Sequence, residues 1–303
     1  MNIKKTQLYI ILFIIIIILL FIYLITFKYI DYFTENLINN NYNLPKKIWI
    51  FWDNETLPKD IKLIYDNNIK ILDGWDIKML NNNNVKDYID VDSFPNNYKN
   101  AGPAHKSDLI RLKLLEKYGG VWMDAGIIIN SKDELEKLHK DTLENQYELT
   151  AFTLDEKDAN YTYHQYIENW FLIAPQNSNV ISIWLKEFEN AFTIGFDEYT
   201  NYIKAKPNIK LCSRLDTTYL TQHRALQVAL QTNPTNTITN SNHKLLLLNS
   251  EEYMFKLMKN CDWKFDCIKD KFENDKNTKN IPSIKLIGSF RQAGLDFDKY
   301  FSI

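Results

Sequence analysis

The chain has 303 residues, 36 of them basic and 38 acidic, and a formal charge of -2. That length suits one large α/β domain with a well-buried core, and basic residues scattered along the whole chain give no electrostatic footprint for nucleic acid. The three cysteines match no CxxC or Cys/His zinc spacing. Cys261 and Cys267 either close a short loop in an oxidising lumen or remain thiols.

The first predicted element is the apolar run Leu8–Phe27, "LYIILFIIIIILLFIYLITF", as long as a helix needs to cross a bilayer. Lys4 and Lys5 precede it and Lys28 is followed by Asp31 and Glu35, which orients the N-terminus to the cytoplasm. The expected organisation is a cytoplasmic tail (1–7), a transmembrane helix (8–27), a polar stem (28–43) and a lumenal or extracytoplasmic domain (44–303), making a single-pass type II membrane protein. In that topology Asn54-Glu55-Thr56 and Asn160-Tyr161-Thr162 are candidate glycan acceptors.

Within the domain, "LPKKIWIFW" (44–52) and "WDIKML" (75–80) read as strands, with a short helix toward Ile89. A helix over 104–118 stops at Gly119-Gly120, since glycine accepts the left-handed backbone at a helix end. The run "VWMDAGIII" follows as one strand. Strands at 149–154 and 169–174, helices at 179–192 and 217–230, and a last strand at 283–288 complete the pattern. Strands alternating with helices predict an α/β layered fold with a mainly parallel sheet.

Turning each residue by about 100° around the 104–118 helix puts Lys106, Lys113 and Lys117 on one solvated stripe. Asp108 and Arg111 fall opposite, among leucines, close enough to touch. A buried ion pair seldom adds net stability over apolar packing, so its presence points to a site as well as to a structural salt bridge. Asp124 lies just before Ala125-Gly126, near the strand ends where α/β sheets gather ligands. A carboxylate there can bind Mg²⁺ or Mn²⁺ or simply cap the turn.

The stretch "AHKSDLIRLKLLEKYGGVWMDAG" resembles the core of the capsular-polysaccharide-synthesis and mannosyltransferase-like sugar transferases. "KIWIFWDNETLP" is similar to their first strand and "ENWFLIAPQNSNVISIWL" to a later segment. The resemblance spans about residues 44–190. It implies a GT-A-type, Rossmann-like nucleotide-sugar-binding domain and a membrane-anchored, retaining, metal-dependent transferase. Its donor is a nucleoside diphosphate sugar and its acceptor a glycan, glycoprotein or glycolipid. By the same resemblance Asp108 holds donor hydroxyls, Arg111 contacts sugar or diphosphate, and Asp124 binds Mn²⁺ or Mg²⁺ or the donor ribose and sugar. Trp49 or Trp52 lies against the base and Trp122 lines the pocket. The second acid of the DxD pattern is replaced by Gly126, with His223 as a candidate to complete the metal shell. The C-terminal region Ser283–Ile303, with Ser289 and Arg291, is a candidate lid. Three other readings compete: a catalytically inactive, membrane-tethered binder of sugar nucleotides or glycans; a membrane-anchored structural protein whose Asp108–Arg111 pair only fixes the fold; and, more weakly, a metal-dependent hydrolase, for which the sequence holds no HExxH, Gly-x-Ser-x-Gly or histidine cluster.

Overall fold

The computed structural model describes residues 42–154, 166–212, 215, 217–232 and 243–302, together with Leu20, Tyr23 and Thr26. The chain divides into two compact units, 1–43 and 44–303. Among the described residues no helix is long and apolar enough to cross a membrane. This overturns the transmembrane helix as part of the fold class, which is corrected to a mixed α/β fold without it. Apart from Leu20, Tyr23 and Thr26, the run 8–27 lies outside the described residues, as do the stem to residue 41 and the Asn160 triplet.

In the second unit, six strands form a sheet in the order β2-β1-β3-β6-β5-β7: β1 (Lys47–Phe51), β2 (Asp76–Leu80), β3 (Gly120–Met123), β5 (Leu149–Thr153), β6 (Ile167–Ala174) and β7 (Leu245–Asn249). Neighbours pair in parallel except at β6, which is antiparallel to β3 and β5. β2 lies on one side of β1 and β3 on the other. The strand order therefore reverses at β1, and at such a switch point a crevice opens beyond the carboxyl ends of the strands. Because β6 runs the other way, its N-terminal end lies at the same edge.

Side chains alternate across β1. Trp49 and Phe51 face a core shared with α2 (Pro103–Tyr118) and α4 (Asn179–Ile194), while Ile48 and Ile50 are buried outside that cluster. α2 begins with Pro103 at its first turn and ends at Gly119, φ 66°, where a left-handed backbone suits glycine. Gly120, φ 99°, lies so close to β1 that a Cβ there would stand 2.6 Å from the Lys47 carbonyl oxygen.

The run "VWMDAGIII" is not one strand. It splits into β3 and β4 (Ile127–Ile129), and β4 leaves the main sheet to pair antiparallel with β8 (Ser283–Lys285). The Asp124 amide still bonds in register with β6, donating to the Trp170 carbonyl at 2.9 Å, and the chain turns directly after it, the Ile127 amide donating back to the Asp124 carbonyl at 3.1 Å. Asn68, buried on α1 (Lys59–Ile71), holds β4 in its new position. Its amide donates to the Ile127 carbonyl at 2.7 Å and its oxygen accepts from the Ile129 amide at 2.9 Å. Asp124 thus sits on a corner at the end of the β3–β6 ladder. Cys261 and Cys267 form a disulfide.

Candidate active site

A cleft of about 410 Å³ opens at this corner. Phe51, Trp52 and Asp53 reach it from the end of β1, Asp124 to Gly126 from the corner, and Tyr166 to Trp170, except Ile167, from the start of β6. The opposite wall comes from Pro103 to Arg111 on α2 and from His223 on α6 (Thr221–Thr232), and the C-terminal segment supplies Lys285 and Arg291.

Arg111 is the hub. Its guanidinium meets Asp108 Oδ1 at 2.8 Å, one turn before it on α2, and reaches Asp124 Oδ1 at 3.5 Å. It also donates to Gln222 Oε1 at 3.0 Å and lies over the Trp122 ring at 4.9 Å. Asn169 donates to Asp108 Oδ1 at 3.1 Å and to Gln222 Oε1 at 2.6 Å. Gln222 in turn donates to the Asp108 carbonyl at 2.6 Å. Removing two charges from water costs several kcal/mol per ion. This polar lattice offsets that cost and fixes the two side chains in one geometry.

Asp124 is engaged at both oxygens. Trp122 Nε1 donates to Oδ1 at 3.1 Å and Lys285 Nζ to Oδ2 at 2.9 Å. Burial pushes its carboxyl up, but the charges of Lys285 and Arg111 and these hydrogen bonds outweigh it and hold the group below the usual carboxylate range. Lys285 arrives because β8 pairs with β4, setting it opposite Ile127. Arg291 pairs with Asp60 on α1 and lies over the Trp52 ring at 5.5 Å.

The sequence-predicted residues therefore separate. Asp108, Arg111 and Asp124 come together; Trp122 is not part of the cleft wall but contacts Asp124 and Arg111, and Trp52 lines the cleft. Trp49 does not reach the cleft. It stands mid-strand on β1, fully buried, and its indole nitrogen donates to the Gly119 carbonyl at 3.0 Å. Of the two tryptophans considered for a base contact, Trp52 lines the cleft and Trp49 does not, because only residues at the strand's end reach the crevice. Ser289 is not part of the cleft wall, whereas Lys285 and Arg291 are.

The residues present do not fit the metal expected on Asp124. Hard divalent cations want free carboxylate oxygens, and here both are held by cationic or N–H donors. Position 126, where a second acid would stand, is glycine, and a Cβ built there points toward the Leu286 carbonyl at 3.6 Å and the Arg291 side chain at 3.9 Å. Among the described residues no group of three histidine, cysteine, aspartate or glutamate side chains could hold a metal ion.

Sequence reasoning missed Lys285, Glu168, Asn169 and Gln222. Polar side chains in otherwise apolar or helical runs were the only local signal.

The sequence profile of the capsular polysaccharide synthesis proteins matches residues 24–285. The chain belongs to that family. Among individual relatives, it is 30 % identical over 159 residues to the O-glycosyltransferase braB of Annulohypoxylon truncatum, covering 48 % of this chain and 37 % of that one. It is equally 30 % identical over 159 residues to the glycosyltransferase afumC of Aspergillus fumigatus, covering 47 % and 39 %. The chain thus spans less than half the length of these relatives. Among solved structures, the PaToxG glycosyltransferase aligns over 90 % of this chain and 92 % of that one at 13 % identity and a TM-score of 0.37, too weak a likeness to inform the fold or the site. In this capsular polysaccharide synthesis family member, the Asp108–Arg111–Asp124 lattice occupies the crevice that the sheet topology creates.

Proposed function

We propose that this protein transfers a glycosyl unit from a nucleoside diphosphate sugar to a hydroxyl of a glycan, glycoprotein or glycolipid. The observation that carries this reading is the buried Asp108–Arg111–Asp124 lattice with Lys285 at the switch point of the sheet. The named glycosyltransferase relatives support it.

In the reaction, the bond from the anomeric carbon to the diphosphate oxygen breaks and one from that carbon to the acceptor oxygen forms. The diphosphate departs carrying the electron pair and takes up the acceptor's hydroxyl proton. Arg111, Lys285 and Arg291 supply fixed positive charge where negative charge grows, which lowers the barrier because they need no reorganisation. Asp108, held rigid by Arg111 and Asn169, offers carboxylate oxygens to sugar hydroxyls. Trp52 gives an aromatic face at the mouth for the base. We read the transfer as retaining from the family resemblance, and proton NMR of the first-formed product anomer checks it.

The test is a screen of UDP- and GDP-sugars against the full chain for thermal stabilisation and slow hydrolysis, beside Arg111→Lys. One donor is expected to stabilise the wild type and be hydrolysed, with both effects lost in the variant. Absence of binding to every nucleoside diphosphate sugar rejects the proposal. Binding with no turnover toward water or hydroxyl acceptors selects the inactive binder.

A further inference from the structure

Six buried side-chain nitrogen or oxygen atoms among the described residues have no hydrogen-bond partner, and four belong to residues of this cleft: Arg111 Nε, Trp170 Nε1 and both ring nitrogens of His223. Buried polar atoms are nearly always paired, so such a concentration calls for an explanation. His223 is the extreme case, since neither of its nitrogens is met although the side chain is buried. Packing does not require an imidazole there. The ring stacks on Tyr166 with centroids 5.1 Å apart and planes 25° from parallel, a contact that phenylalanine makes as well.

The ring's chemistry narrows the ligand. Burial disfavours imidazolium and pushes the His223 pKa down to about 4, against the pull of Asp108 and with the help of Arg111. At neutral pH the ring therefore offers one N–H donor and one bare nitrogen acceptor. An anion such as a phosphate accepts only and leaves the bare nitrogen unmet. A hydroxyl both donates and accepts, and neighbouring hydroxyls on a sugar ring satisfy both nitrogens at once. We propose that His223 is a hydroxyl-binding residue that recognises the sugar part of a ligand in this cleft, as distinct from its nucleoside diphosphate part. This assignment rests on the transferase reading above. The hydroxyl can belong to the donor's glycosyl unit or to the acceptor glycan, and the test separates the two.

The full chain is titrated calorimetrically with the stabilising nucleotide sugar and with the bare nucleoside diphosphate, and KM is measured for the acceptor. Wild type is compared with His223→Phe, which keeps the ring stack and removes both nitrogens, and with His223→Asn, which returns a donor and an acceptor. His223→Phe is expected to weaken nucleotide-sugar binding, or raise the acceptor KM, by about tenfold, the scale of one lost hydrogen bond. Affinity for the bare nucleoside diphosphate stays the same, and His223→Asn recovers part of the loss. A loss confined to the nucleotide sugar assigns the donor's hydroxyl; a loss confined to acceptor KM assigns the acceptor's. Unliganded His223→Phe should also melt higher than wild type, because no orphaned nitrogens remain buried. Unchanged affinities for all three ligands, or an equal loss for the bare diphosphate, overturn the assignment. If the wild type binds no nucleotide sugar at all, the transferase reading itself fails and this assignment falls with it, a result distinct from any defect of the variants.

Discussion

Trp49 and Trp122 are register partners on β1 and β3 and both are fully buried, yet their indole N–H groups end in different surroundings. Trp49 donates to the Gly119 backbone carbonyl, in a region where packing and backbone satisfy each other. Trp122 donates to Asp124, a carboxylate also held by Arg111 and Lys285, beside a cleft where four polar atoms have no partner. The first arrangement stabilises the fold. The second keeps polar groups buried that an apolar core would leave out, and such local departures from good packing mark functional sites.

The sharpest way to break that contrast is at the ion pair. Arg111→Leu is expected to destabilise the protein by about 3–5 kcal/mol, because it strands Asp108 in a buried site, as urea unfolding measures. Replacing both Asp108 and Arg111 with leucine should restore most of that stability while abolishing donor binding. Intact binding in the double variant would reduce the lattice to a structural device.

His223 gives the next effect. Its folded pKa lies below the unfolded value of about 6.5, so the unfolded state binds more protons as pH falls through that window, and stability is lost between about pH 6.5 and 4. The loss from this one group amounts to about 3 kcal/mol, and His223→Phe should flatten the pH dependence of the melting temperature across that range. Asp124 acts lower down: its depressed pKa contributes stability that is present above the usual carboxylate range and lost as pH drops through its folded value.

On the satisfied side, Gly120→Ala should cost about 1–3 kcal/mol through positive φ and collision with the Lys47 carbonyl, without changing the donor preference of the protein that remains folded. Trp49→Phe should cost about 1 kcal/mol for the lost hydrogen bond and leave donor affinity unchanged, whereas Trp122→Phe should weaken donor binding by loosening Asp124. The smallest expected effect is none: EDTA should leave nucleotide-sugar affinity unchanged, since Lys285 and Arg111 already occupy Asp124. A strict manganese requirement in calorimetry would show that the cation displaces Lys285.

The sequence alone determined the α2 face carrying Asp108 and Arg111, because helical periodicity is local and charges among leucines stand out against it. It also determined the stop at Gly119-Gly120 and the general course of the strands. Only the tertiary structure decided that Asp124 turns a corner, because Asn68 and β8 capture β4, contacts between segments far apart in the chain. For the same reason Lys285, Asn169 and His223 gained their places in the cleft, and Gln222 its place behind Asp108, through sheet pairing and helix packing. Trp49 lost its place there because a mid-strand residue cannot reach past the strand's end. Local patterns fix which face a side chain presents, but what stands opposite that face depends on where distant elements dock.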